Sequence, residues 1–66
     1  MRIRVNGTER DFPGALSVEE LLRALDLGGV RVAVEVNLSI VPRAAYAETP
    51  LAEGDVIEIV SFYGGG

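Results

Sequence analysis

The sequence predicts an α+β fold in which one amphipathic helix packs across a mixed β-sheet. Two patterns predict this class: several short segments alternate apolar and polar residues, and one intervening segment carries an apolar stripe with a helical period. A chain of 66 residues has room for a single domain. We therefore expect one core, formed between the helix and one face of the sheet.

The first hairpin is indicated by alternation followed by a turn. Apolar residues at positions 1, 3 and 5 are separated by arginines, which is the period of a half-buried strand. Asn6-Gly7 follows, and both residue types tolerate the positive φ angles of a two-residue hairpin turn. The segment from Thr8 to Phe12 is therefore expected to return antiparallel to the first strand.

A short amphipathic helix is predicted next. Ser17 and Glu20 have the spacing of a capping box, in which each side chain accepts a hydrogen bond from the other residue's backbone N–H. The apolar stripe has the spacing i, i+3, i+4 and i+7 and consists of Val18, Leu21, Leu22 and Leu25. Glycine accepts the left-handed conformation common after a last helical turn, so we expect the helix to end at Gly28-Gly29.

Two further strands and an irregular connection are predicted after the helix. Valines at alternate positions across residues 30–37 give the third strand one strongly apolar face. Ile40 and Val41 indicate a short fourth strand, which Pro42 restricts to a sheet edge. Residues 43–51 show little periodicity, so we expect an irregular connection with one helical turn near residues 44–47.

The last strand is predicted over residues 56–62. It is apolar on both faces, which is typical of a strand buried centrally in its sheet. Phe62 shares one face with Val56 and Val60, so a core position is the simpler interpretation. Because Phe62 and Tyr63 lie beside the final residues, both are also candidate anchors for a docking partner.

The predicted order is a hairpin, a helix, two strands, an irregular connection and a central strand. This order is compatible with a ubiquitin-like β-grasp. We expect the β-grasp domain to span residues 1–63 and to be followed by a flexible glycine tail at residues 64–66.

The composition excludes several kinds of chemistry. The chain has no cysteine and no histidine, and its six basic residues are all arginine. Disulfides, thiolate catalysis, amine catalysis, iron–sulfur ligation, most zinc sites, the commonest general base and the commonest metal ligand are therefore excluded. The carboxylates in the helix first turn and the surface turns are interpreted as solvated or structural groups. We expect no catalytic residue, no metal site and no bound cofactor.

Charge and hydropathy limit the partners. A net charge of −4 does not provide the basic face that nucleic-acid binding requires, although it favours encounters with a cationic partner surface. No apolar run approaches the roughly 18 residues of a membrane span, and Met1 leads directly into a strand without a signal sequence. We therefore expect a cytoplasmic protein without nucleic-acid or membrane partners.

The candidate functional segment is the glycine run Gly64, Gly65 and Gly66. Three glycines are thin enough to enter a narrow tunnel, and they extend about 10 Å beyond the folded body. A terminal carboxylate is ionised at neutral pH and a poor electrophile, so a partner must activate it, for example by forming an acyl-adenylate with ATP. The alternative is a loose terminus without function, but the tail follows an apolar strand with no linker.

Several motifs occur in register across the chain: Val5-Asn6-Gly7, Val36-Asn37-Leu38-Ser39-Ile40-Val41-Pro42-Arg43, Tyr46, Glu48-Thr49, Gly54-Asp55-Val56-Ile57-Glu58-Ile59-Val60 and the glycine end. Together they resemble the sulfur carrier protein of thiamine biosynthesis, the ThiS family, over the whole chain. Compared with that family's usual pattern, Tyr46 replaces a frequent tryptophan, and Leu38-Ser39 replaces a commoner glycine-containing turn.

The resemblance implies a β-grasp fold and a role as a sulfur donor acted on by enzymes. A ubiquitin-activating-like adenylyltransferase, using ATP and magnesium, would adenylate Gly66, and sulfur from a persulfide donor would convert it to a thiocarboxylate. Gly64 and Gly65 would thread into the partners' active sites. Thiazole synthase would then take the sulfur for the thiazole ring of thiamine.

Three alternatives remain at this point. The small subunit of molybdopterin synthase resembles this chain in fold and in its diglycine end, although length and motif register favour the thiamine carrier. A protein modifier would use the same activated carboxylate to form an isopeptide bond. The third alternative is a regulatory or RNA-associated β-grasp module whose glycine tail has no function. The net negative charge of the chain disfavours this alternative.

Overall fold

The computed structural model describes residues 1–62. Its elements in chain order are β1 (Arg2–Val5), β2 (Thr8–Asp11), α1 (Val18–Ala24), β3 (Val32–Val36), β4 (Ser39–Val41), a 3₁₀ helix (Arg43–Glu48) and β5 (Val56–Ser61). The strands form one sheet in the order β2-β1-β5-β3-β4. β1 and β5 pair in parallel, whereas the other neighbours are antiparallel. The predicted mixed sheet, the central last strand and the edge position of β4 are confirmed.

The core lies between α1 and one face of the sheet. Its buried side chains are all aliphatic: Ile3, Val5, Val18, Leu21, Leu22, Val34, Val41, Leu51, Ile57 and Ile59. Among the described residues, no polar or charged side chain is buried. Burial of this aliphatic set is therefore the main stabilising contribution, at about 25 cal/mol per Å² of apolar surface removed from water.

The start of α1 follows the predicted capping box. The Ser17 Oγ accepts a hydrogen bond from the Glu20 backbone N–H at 3.1 Å, and the Glu20 carboxylate accepts one from the Ser17 N–H at 2.9 Å. Val18 and Leu21 on the predicted stripe are fully buried. The cap therefore satisfies two backbone donors and orients the apolar face toward the sheet.

The predicted end of the helix at Gly28-Gly29 is wrong. The helix ends at Ala24, because Asp26 adopts the left-handed conformation with φ 62°. The Leu27 N–H then donates to the Leu22 carbonyl at 2.7 Å, which closes a Schellman-type terminus. Aspartate tolerates this conformation better than most residues with a side chain, so the termination signal precedes the glycines.

The prediction that both faces of the last strand are buried is also wrong. Ile57 and Ile59 are buried, but Val56 and Val60 on the other face are 41% and 58% exposed. Phe62 is 53% exposed, so it does not occupy the core position considered above. The physical reason is that the described chain provides one helical layer, which covers only one face of the sheet.

The segments on either side of β4 differ from the expected bounds. β3 begins at Val32, so Val30 lies outside it and is 36% exposed. The connection after Pro42 contains a six-residue 3₁₀ helix, longer than the one turn predicted within an irregular segment. No helix within residues 1–62 is long and apolar enough to cross a membrane.

Candidate functional site

The described chain leaves the sheet at its central strand. After β5, the Phe62 N–H donates to the Arg31 carbonyl at 2.9 Å, which extends the β3–β5 ladder one position beyond the Val32–Ser61 pair. Phe62, the last described residue, therefore lies at the end of the central strand. That strand, β5, has a neighbouring strand on each side.

The sequence-predicted site residues lie at and beyond this point. Phe62 is half exposed and available for a contact. Tyr63, Gly64, Gly65 and Gly66 lie outside the described residues. Docking through Phe62 and Tyr63, threading of Gly64 and Gly65, chemistry at Gly66, and the division into a domain at 1–63 and a tail at 64–66 remain predictions.

An apolar strip lies on the sheet face opposite α1, which we call the open face. Val60 pairs with Ala33 in register, and Ile40 pairs with Glu35. Val60 and Ile40 are 58% and 74% exposed, and Phe62 continues the strip at the end of β5. The sequence assigned Val60 to the core, because an alternating apolar residue looks the same whether a second layer of the fold or a partner covers it.

Ion pairs occupy the other half of the open face. The Arg2 guanidinium donates to the Asp11 carboxylate at 3.0 and 3.3 Å, and Arg4 pairs with Glu9 at 3.3 Å. The hydrogen bond from Arg2, with its positive charge, holds the pKa of Asp11 below its ordinary value, and the same contact raises the pKa of Arg2. The charges of Arg2 and Arg4 on this half of the face are thus matched, whereas Glu35 and Glu58, which pair in register beside the apolar strip, form no ion pair within residues 1–62.

A cavity of about 260 Å³ lies beside the point where the chain leaves the sheet. We call it the exit pocket, and its lining residues are Val30, Arg31, Val32, Arg43, Tyr46 and Phe62. The Tyr46 hydroxyl donates to the Val32 carbonyl at 3.3 Å, which fixes the ring in the wall. The pocket therefore combines an apolar lining with two guanidinium groups.

The chain lacks several of the side chains that enzymes most often use as nucleophiles and general bases. The sequence lacks cysteine, histidine and lysine, and residues 1–62 bring together no group of three acidic side chains that could hold a metal ion. The chemically distinctive features near Phe62 are therefore the segment that follows it, the apolar strip and the exit pocket.

Comparison of the sequence with models of known protein families shows which family the chain belongs to. The model of the ThiS family matches residues 3–66, including the glycine run. The chain belongs to the ThiS family. The crystal structure of the thiamine biosynthesis protein ThiS from Geobacter metallireducens is 38% identical, with a TM-score of 0.84 over the full length of both chains. This likeness confirms the ubiquitin-like β-grasp fold of the ThiS-family chain.

Curated relatives of this ThiS-family chain are of two lengths. It is 47% identical over all 66 residues to a thiazole synthase of Paramagnetospirillum magneticum, and 39% identical to one of Magnetococcus marinus. It spans only 20% of each of those proteins. It is also 42% identical over 50 residues to the sulfur carrier protein ThiS of Bacillus subtilis, where the match covers 76% of both chains.

Proposed function

We propose that this ThiS-family chain is a sulfur carrier for thiamine biosynthesis and serves as a protein co-substrate. The observation that carries the proposal is the family match over residues 3–66, which extends through the glycine run. The full-length likeness to a ThiS structure supports it, because the two chains share the β-grasp fold. The chain has no cysteine, histidine or lysine, and the role of substrate for a partner enzyme is consistent with that composition.

The proposed chemistry takes place at the carboxylate of Gly66. An adenylyltransferase related to ubiquitin-activating enzymes joins this carboxylate to AMP with ATP and magnesium, releasing pyrophosphate. The terminal sulfur of a persulfide then displaces AMP, and cleavage of the sulfur–sulfur bond by a thiol leaves the thiocarboxylate. Cofactors belong to the partners in this scheme, and the carrier binds none itself.

Binding energy for this reaction comes from the folded body. Ordering each glycine in a partner's active site costs on the order of 1 to 2 kcal/mol of conformational entropy. The apolar strip can offset that cost, since Val60 and Phe62 are exposed apolar side chains that come shortly before the glycines in the chain. Docking through Phe62 and Tyr63 with threading of Gly64 and Gly65 completes the proposed encounter.

The proposed recipient of the sulfur is thiazole synthase. Two relatives with that name contain a region similar to this entire chain within one longer protein. Covalent linkage of two functions in one chain is expected when the two parts act on each other. The same chemistry, which uses ATP and a persulfide, is most readily supplied in the cytoplasm, where we place the carrier.

The decisive experiment is an intact-mass measurement. The chain ending at Gly66 is incubated with the activating enzyme, ATP, magnesium and a persulfide donor. Replacement of one carboxylate oxygen by sulfur, located in the C-terminal fragment, is the expected result. An unchanged mass, with an activating enzyme proven on another carrier, would contradict the proposal. Transfer of the sulfur to the products of thiazole synthase and not of molybdopterin synthase would assign the pathway.

A further inference from the structure

Two of the three arginines that form no ion pair within residues 1–62 line the exit pocket. Arg31 and Arg43 are exposed, and neither forms an ion pair with any residue in 1–62. By contrast, Arg2, Arg4 and Arg23 each contact a carboxylate at 3.5 Å or closer. In a protein with a net charge of −4, two guanidinium groups left without such partners at one cavity stand out.

The position of the pocket links it to the chain end. Phe62 lines the pocket, and its N–H is bonded to the carbonyl of Arg31. A protein that docks against Phe62 would therefore also meet this wall. Arg43 and Tyr46 also line a neighbouring cavity of about 360 Å³ beside the end of α1, so the surface continues away from the tail.

We propose that the exit pocket receives an acidic side chain of thiazole synthase when the carrier docks. The proposal rests on the function proposed above, because it takes thiazole synthase as the protein that accepts the tail. Guanidinium groups bind carboxylates through paired N–H donors, and the apolar lining from Val32 and Phe62 reduces competition from water. The pocket thereby fixes the rotation of the body about the threaded tail.

The test measures binding of the carrier to separately expressed thiazole synthase by titration calorimetry. Arg31→Gln and Arg43→Gln are compared with Arg10→Gln, a matched control. Arg10 lies in β2 at the opposite edge of the sheet, is exposed and has no ion pair within residues 1–62. All three substitutions remove one positive charge, so a difference among them reports position and not net charge.

Each exit-pocket substitution is expected to raise Kd about threefold to fivefold, and the double substitution about tenfold or more. Arg10→Gln is expected to stay within about twofold of the wild type. The losses should shrink at high salt, because the contact is between charges at a partly exposed site. Circular dichroism of each variant verifies that the fold is retained.

Three outcomes would overturn the exit-pocket proposal. One is unchanged binding of both pocket variants, and another is an equal loss in all three variants. The third is a loss that appears only when the same titrations are repeated with the activating enzyme, which would assign the pocket to that partner. Failure of the wild-type carrier to bind thiazole synthase, or to acquire sulfur, would instead refute the proposed function itself, so the two failures are distinguishable.

Discussion

The side-chain amide of Asn6 acts as an extra residue of the β-sheet toward Ile59. Its Nδ2 donates to the Ile59 carbonyl at 3.0 Å, and its Oδ1 accepts from the Ile59 N–H at 2.7 Å. The two residues are 53 positions apart. The amide continues the parallel β1–β5 pairing past the point where the β1 backbone turns away into the hairpin.

Loss of this amide should destabilise the fold. We expect Asn6→Ala to lower the free energy of unfolding by about 2 to 3 kcal/mol, because the Ile59 N–H loses its acceptor and alanine must adopt φ 50°. Asn6→Gly is the control, since it removes the same hydrogen bonds without the strain and should lose about 1 kcal/mol less. Urea denaturation followed by circular dichroism measures both, and equal stability of Asn6→Ala and wild type would contradict the assignment.

The turn between β3 and β4 contains removable strain. Asn37 and Leu38 both have positive φ, at 51° and 72°, and Leu38 is 88% exposed. We expect Leu38→Gly to raise the free energy of unfolding by about 0.5 to 1 kcal/mol, because Asn-Gly is the preferred pair for such a turn. Leu38→Ala keeps the strained backbone and provides the comparison in the same urea experiment. If glycine is no more stable than alanine at this position, the strain interpretation fails.

The Arg2–Asp11 contact should make the free energy of unfolding depend on pH in the acidic range. Since the hydrogen bond from Arg2 lowers the pKa of Asp11 below its ordinary value of 3.8 in the folded state, its stabilisation is present above pH 3.8. It is lost as the pH falls through the lowered folded pKa.

We therefore expect Asp11→Asn to have a slightly lower urea midpoint than wild type at pH 6. At the lowest pH of the series, where Asp11 is protonated, the two midpoints should be equal. Glu48→Gln removes a carboxylate that has no ion pair within residues 1–62, and it serves as the control. A gap between Asp11→Asn and wild type that persists at the lowest pH would show that the effect is not electrostatic.

Substitution of Gly66 should block the proposed chemistry and spare the fold. A valine side chain there lies next to the reacting carbonyl, where a displacement of about 1 Å lowers a rate by about 100-fold. We expect Gly66→Val to reduce thiocarboxylate formation by at least that factor in the intact-mass assay. Gly14→Val is the matched control, because a Cβ at Gly14 meets no atom within 4 Å. Normal sulfur loading of Gly66→Val would exclude this residue as the reacting terminus.

Truncation of Phe62 should affect docking more than stability. Because its side chain is 53% exposed, Phe62→Ala is expected to change the free energy of unfolding by less than about 0.5 kcal/mol. As an aromatic anchor beside the tail, it should contribute on the order of 1 to 2 kcal/mol to partner binding. Leu38→Ala is the comparison, because Leu38 is apolar and exposed but lies at the opposite end of β3. Equal binding by both variants would remove Phe62 from the interface.

The local elements were largely predictable because their signals are short-range. The capping box at Ser17 and Glu20, the Asn6-Gly7 turn and the edge strand before Pro42 each follow from a few adjacent residues. The helix end was misplaced because Asp26 can adopt a conformation more often associated with glycine. The sequence pattern alone did not show whether Asp26 or the following glycines would adopt the left-handed conformation that ends the helix.

The open face could not be predicted from pattern because burial depends on the number of layers. Val60 and Ile59 are both apolar and adjacent in β5, yet only Ile59 faces the helix. The exit pocket was not predicted either, since Arg31 and Arg43 lie 12 positions apart and come together through the register of the β3–β4 hairpin, with Phe62 at the end of β5 completing the lining. Unpaired exposed arginines carry no periodic signal in a sequence.

The central position of β5 has a consequence for synthesis. β5 is the last described strand in sequence order, yet it separates the two pairs β1–β2 and β3–β4. A nascent chain therefore cannot close its sheet until the segment up to Ser61 has left the ribosome. Premature termination before that segment would leave two disconnected hairpins, which would be readily degraded by proteases. Only chains that contain β5, and so reach the residues before the glycine run, can form the complete sheet and resist degradation.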